Sequence, residues 1–235
     1  MSTNLARIGL QASAHPDLVF TSLYHHIADI DHLRTCYQLL KGNKAVGVDE
    51  VTKSIYAEDL EANLQDLSAR LKRMGYRPQP KRRVYIPKPG SEKGRPLGIS
   101  SFEDKIVELA TKRAVEPLFE SVFEACSYGY RPGRSPHQCL DALGRTIQQK
   151  RVNHLVEADI RGFFDAVNHE WLLKLLRQRI GDERVLRLIY RMLKAGIMED
   201  GLVQATEVGT PQGSILSPLL SNVYLHFPMS TSTMS

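Results

Sequence analysis

Apolar residues recur along this chain with two periods. Leu60, Leu64, Leu67 and Leu71 lie at i, i+4, i+7 and i+11, one face of a helix that Gly75 can end. Residues 23–40 have a similar pattern and predict one helix, after residues 1–20 that predict an irregular leader. Ser100 and Ser101 stand three residues before Glu103 and Asp104, so either pair predicts a capping-box start for a helix burying Ile106, Leu109 and Ala110, with Pro117 near its end. Further helices are predicted over 136–149, after an Asn168 cap with Leu172, Leu175 and Leu176, and over about 182–195 on Val185, Leu186, Ile189 and Leu193. One more begins at 219–225.

Period-two segments lie between these helices. Residues 83–86 and 96–99, separated by the Gly90–Gly94 turn, predict a β-hairpin with basic arms. Residues 154–160 predict a strand with Leu155, Glu157 and Asp159 on one face and Val156, Ala158 and Ile160 on the other. Asp200-Gly201 between two extended runs predicts a second hairpin. The expected fold class is therefore α/β (α+β) and helix-rich. After His226 the text changes to Ser-Thr-Ser-Thr-Met-Ser, which predicts a tail outside the preceding domain.

Composition narrows the class. Of 235 residues, 42% are hydrophobic and 24% charged, ordinary for a globular protein that buries a core. Cys36, Cys126 and Cys139 are odd in number and form no C-x-x-C pair, which fits a reducing, cytoplasmic compartment and suggests neither a disulfide framework nor a zinc site. No secretory signal is expected in residues 1–20, and no run approaches the roughly 18 apolar residues of a membrane span.

Charge is local. The net charge is +5, but residues 77–95 hold seven Lys or Arg against Glu92 alone, so the remainder is slightly acidic. Such a concentration suits a phosphate-binding surface, and a solvated loop is the other reading.

Four constellations carry candidate chemistry. Asp159-Ile-Arg-Gly-Phe-Phe-Asp165 puts a carboxylate at a predicted strand end before a tight turn and two aromatics. A buried acid there needs a partner or a cation such as Mg²⁺, and a helix or turn cap is the alternative. In 209–218, two glycines and two prolines fix a bend with the Gln212 amide at its apex, which taken alone is a turn. The hairpin sets Lys88 and Arg95 seven residues apart, able to lie over one triphosphate. Ser127-Tyr-Gly-Tyr-Arg-Pro-Gly-Arg-Ser135 interleaves Tyr128 with Arg131 and Arg134, suiting a nucleic-acid strand or a solvated loop.

Together and in this order, across roughly residues 20–226, these segments resemble the reverse transcriptases encoded by group II introns. The matching strings are Lys41-Gly-Asn-Lys-Ala-Val-Gly-Val-Asp49, Pro78-Gln-Pro, Ile86-Pro-Lys, Arg95-Pro-Leu-Gly-Ile, the 127–135 loop, the Asp159 motif, Thr210-Pro-Gln-Gly-Ser and the 216–222 run Leu-Ser-Pro-Leu-Leu-Ser-Asn. The resemblance implies a right-hand polymerase, with an N-terminal extension and fingers over 21–100, fingers and an incomplete palm over 101–226, and a tail over 227–235. It makes Asp159 the first catalytic, Mg²⁺-binding aspartate and the Ile160 carbonyl a further ligand. Lys88, Arg95, Gly162, Phe163, Phe164 and Gln212 become nucleotide contacts, with Phe164 the aromatic gate against a 2′-hydroxyl.

The same resemblance implies RNA and deoxynucleotide triphosphates as partners, and the local charge and the Tyr–Arg loop make Lys81, Arg82, Arg83, Tyr128, Arg131 and Arg134 the expected nucleic-acid contacts. The lack of a long apolar run leads to no membrane partner being expected. The family's Tyr-x-Asp-Asp motif is not in the sequence, which contains no Asp-Asp at all. A truncated enzyme, inactive alone, is therefore expected, and whether a separate chain carries the missing palm and thumb stays open at this point. An intron RNA-binding, maturase-like module and a remnant without present function stay as alternatives.

Overall fold

The computed structural model describes residues 3–88 and 91–231, with side chains at 3–4, 88, 91–93 and 227–231 excepted. Helix α1 (Thr3–Ala14) occupies the expected irregular leader. Its placement comes from far along the chain: the buried Arg179 guanidinium donates to the carbonyls of Ala12 and His15 at the end of α1, and to that of Leu118. Helix C-termini are partially negative, so one cation ties two of them together.

Residues 23–40 form two helices where one is predicted, α2 (Tyr24–Ile27) and α3 (Ile30–Leu39). Asp29 breaks them by accepting from His32 N–H as an N-cap. Helices α4 (Lys53–Glu58) and α5 (Leu60–Lys72) follow, and Leu64, Leu67 and Leu71 of α5 are buried as the spacing predicts.

The predicted hairpin forms as β1 (Lys81–Lys88) and β2 (Ser91–Ile99), paired antiparallel with Arg82 opposite Ile99 and Ile86 opposite Arg95. Helix α6 (Phe102–Glu120) is the axis of the core, with Ile106, Val107, Ala110, Ala114, Val115 and Leu118 fully buried. It begins after Ser101, yet no capping box forms: Ser101 Oγ donates to Gln79 and Ser100 Oγ to Glu108. Pro117 lies in its last turn, and the helix runs past it to Glu120.

Helix α7 (Pro136–Gln149) starts with a Ser135–Gln138 capping box and buries no residue. Next come α8 (Phe163–Ala166), α9 (His169–Leu176) behind its Asn168 cap, and α10 (Glu183–Leu193) behind Asp182. Strands β3 (Ile197–Glu199) and β4 (Leu202–Gln204) make the second hairpin, with Asp200 and Gly201 at φ 50° and 79° as a tight left-handed turn requires. The sheet order is β2-β1-β3-β4, with β1 and β3 parallel. Helix α11 (Ser217–Thr231) continues beyond His226, where the domain is expected to end.

One expectation fails outright. Residues 154–160 are not a strand, and all of 151–160 are exposed, Val156 to 90%. A strand needs a ladder partner for its N–H and C=O groups. Among the described residues no strand of the sheet pairs with this segment. The period-two pattern is present without the pairing that would convert it into a strand. The architecture is thus mixed α/β and helix-rich, as expected.

Candidate functional site

Three of the singled-out segments meet at one junction. The guanidinium of Arg95 on β2 donates through Nε to Gln212 Oε1 at 2.8 Å, and Gly98 N–H donates to the Gln212 carbonyl at 2.6 Å. A Cβ on Gly213, whose φ is 106°, would sit 2.8 Å from the Gly98 carbonyl oxygen, so only glycine lets the loop lie this close to β2. On its other flank the loop is tied to the α8 turn, where Thr210 N–H donates to the Phe164 carbonyl at 2.7 Å and Gly209 N–H to that of Val167 at 2.8 Å. Arg95, Phe164 and Gln212 are therefore linked through one hydrogen-bonded frame.

Phe163 packs against Tyr224 and edge-on to Phe164, anchoring the turn to α11. Gly162, at φ 64°, opens α8. Asp159 and Ile160 lie on the exposed segment just before it. The Lys88 side chain is outside the described residues.

A buried ion pair supports the junction from below. Lys81 Nζ donates to Glu108 and Ser100, and the second Glu108 oxygen accepts Ile215 N–H at 2.9 Å. Burial pushes the Glu108 carboxyl up, but Lys81, Ile215 N–H and Ser100 outweigh it and hold the group below the usual carboxylate range. Lys81 is 4% exposed, so its expected phosphate-binding role is corrected to a structural one. Glu108 escaped the sequence reading. Its signal was an acid at i+4 from Asp104 on an otherwise apolar helix face.

Arg131 is corrected likewise. It is 8% exposed and uses its guanidinium on Glu120 and on the carbonyls of Glu124 and Ser127. Arg82 is half-buried and donates to the Val46 carbonyl, docking the 41–49 loop on β1. Arg83 sits 4.0 Å from Glu199, and Arg134 is exposed and lies over the Tyr128 ring. Of the expected nucleic-acid contacts, Arg83, Tyr128 and Arg134 thus keep surfaces that a strand could reach.

A cleft of about 600 Å³ opens on the Leu97–Ile99 face of β2. Leu97, Ile99 and Ile215 give it an apolar wall, and Lys41, Lys44, Lys53 and Lys105 contribute the cations. Lys105 also donates to the Ala45 carbonyl at 2.6 Å, and burial lowers its ammonium pKa.

The expected Mg²⁺ would find oxygen donors of the right kind in the Asp159 carboxylate and the Ile160 carbonyl. Among the described residues, however, no group of three His, Cys, Asp or Glu gathers into a cation cluster. Two-metal transfer places ions about 3.5–4 Å apart. These residues are too few to complete such a site by themselves. No helix among the described residues is long and apolar enough to cross a membrane.

Comparison with known proteins agrees with this arrangement. Residues 86–231 match the family described as "Reverse transcriptase (RNA-dependent DNA polymerase)". The chain is 40% identical over 222 residues to the group II intron-encoded protein LtrA of Lactococcus lactis subsp. cremoris, covering 94% of this chain and 37% of that one. It is 41% identical over 189 residues to protein YkfC of Escherichia coli, covering 79% of this chain and 49% of that one. The chain thus spans under half the length of these relatives. A solved "Partial Cas6-RT-Cas1--Cas2 complex" superposes with a TM-score of 0.58 at 25% identity, over 88% of this chain and 34% of its own. With the motifs, the junction and these relatives in agreement, the chain belongs to the reverse transcriptase family, on the branch encoded by group II introns.

Proposed function

We propose that this chain is the nucleotide- and template-gripping part of an RNA-directed DNA polymerase. The observation that carries the reading is the Arg95–Gln212 contact, held in one frame with Phe164. Arg95 offers a planar fork for a triphosphate, and Lys88 on the same hairpin offers a second cation. Phe164 presents a ring edge to the sugar and excludes a 2′-hydroxyl by steric contact. The cleft along Leu97 and Ile99 suits a template base against its apolar wall, with phosphates near Lys41 and Lys44. Gly162 and Phe163 add backbone contacts to the triphosphate.

In the complete reaction a primer 3′-hydroxyl attacks the α-phosphate of a deoxynucleotide and pyrophosphate leaves. A bound Mg²⁺ would supply charge neutralisation, and this chain offers Asp159 and the Ile160 carbonyl towards it. The chain's own residues bind and orient the nucleotide. On this reading the remaining acids come from polypeptide beyond these 235 residues or from a separate chain, and the chain alone grips without catalysing.

Equilibrium binding of dTTP tests the reading. Arg95→Ala is expected to weaken binding about tenfold or more, in line with loss of a charge-assisted contact worth about 1.5–3 kcal/mol. Phe164→Ala is expected to narrow the preference for dTTP over UTP. Equal dTTP affinity in wild type and Arg95→Ala would overturn it.

A further inference from the structure

Helix α10 carries Arg184, Arg187 and Arg191 at i, i+3 and i+7, so the three project from one side. That side meets Arg177 just past α9 and Met74 in the turn after α5, a turn that also carries Arg73 and Arg77. A groove of about 430 Å³ lies between these elements. Arg177, Arg184 and Arg187 line it together with Met74, Leu173 and Tyr190.

Three arginines line the groove, and Arg73, Arg77 and Arg191 lie beside its Met74 end, while the acids Asp182 and Glu183 on this side are already committed. Glu183 pairs with Arg177 at 3.0 Å. Asp182 is buried, pairs with Arg184 at 3.1 Å and accepts the N–H groups of Leu23 and Tyr24. Among the described residues, Arg73, Arg77 and Arg187 have no carboxylate partner, and all three are exposed. Arg191 uses its guanidinium on the carbonyls of Met74 and Tyr76. Burial and then repulsion from Arg77 and Arg187 lower its pKa. Like charges crowded beside a partly apolar groove are relieved by a polyanion.

We propose that the α9–α10 groove binds the sugar–phosphate backbone of an RNA, at a surface separate from the nucleotide junction. Arg184 and Arg187 stand one helical turn apart on the groove wall, and Arg187 has no carboxylate partner to displace before it reaches a phosphate. Guanidinium forks match phosphate oxygens, and the exposed Tyr190 ring offers a stacking face for a base. The groove shares no residue with the junction of Arg95, Phe164 and Gln212, so the inference does not depend on the polymerase reading.

The experiment measures anisotropy of a labelled single-stranded RNA with the full chain across a KCl series, without nucleotide. The double variant Arg73→Glu/Arg187→Glu is expected to bind at least tenfold more weakly, with a salt slope shallower by about one to two. The charge-preserving Arg73→Lys/Arg187→Lys is expected to stay within about threefold of wild type, which separates lost charge from lost folding. Photocrosslinks are expected at residues 73–77 and 184–191. Arg95→Ala is expected to leave this RNA binding unchanged, and the double Glu variant to leave dTTP binding unchanged, so failure here is distinct from failure at the nucleotide site. Wild-type affinity and slope in the double Glu variant, or crosslinks confined to the β1–β2 hairpin, would overturn the proposal. So would a chain that prefers a polyglutamate peptide or phosphatidylserine vesicles over RNA.

Discussion

Arg95 and Gln212 are 117 positions apart in the chain and joined by a 2.8 Å hydrogen bond. The bond aims the guanidinium along the loop instead of leaving it free at the end of a hairpin strand. A pair that acts together shows coupling when both members are changed. Gln212→Ala is expected to weaken dTTP binding less than Arg95→Ala, and the double variant to fall short of the sum by about 0.5–1.5 kcal/mol. Simple additivity in the four-variant cycle would mean that Gln212 does not position Arg95.

The Lys81–Glu108 pair predicts an asymmetric stability response. Glu108→Ala strands a buried ammonium and leaves Ile215 N–H without its acceptor. Breaking a buried pair by removing one partner costs about 3–5 kcal/mol. Lys81→Met/Glu108→Leu removes both charges and is expected to recover much of that loss. Urea denaturation checks it, and a Glu108→Ala loss below about 1 kcal/mol would contradict the burial of the pair.

Asp104 predicts a pH dependence. Burial pushes its carboxyl up to about 7, against the Tyr76 hydroxyl and Gln79 N–H that favour the charged form. The native state therefore holds a proton that the unfolded chain has released. The stabilisation is fully present below about pH 4 and is lost as pH rises to about 7. Stability is expected to fall over that window by up to roughly 4 kcal/mol from this group. Asp104→Asn, which keeps an acceptor for Gln79 N–H, is expected to flatten the profile. An unchanged pH profile of the urea midpoint in that variant would refute the assignment.

The exposed Asp159 and the small donor set around it predict no DNA synthesis by these 235 residues alone. With a primed RNA template, Mg²⁺ and deoxynucleotides, no extension is expected. Extension that disappears on Asp159→Ala would show that an unrecognised acid completes the site.

Local interactions determined what could be learned from the sequence alone. The α5 leucine face, the Asn168 cap, the helix over about 182–195, the Asp200-Gly201 turn and the basic hairpin each depend on neighbours within a few positions, and each formed. The family was legible for the same reason, since its motifs are contiguous strings. Tertiary structure decided the fate of charge and of unpaired pattern. Lys81 and Arg131 look like solvent cations until Glu108 and Glu120 arrive from positions distant in sequence. The 154–160 alternation forms no strand, and no strand pairs with it among the described residues. The arginine groove was hidden because Asp182 and Glu183 neutralise the local composition, and only the packing of α10 against α9 and the end of α5 separates the acids from the free guanidiniums. A side chain's type is written in the sequence, whereas its role depends on desolvation and partners that exist only after folding.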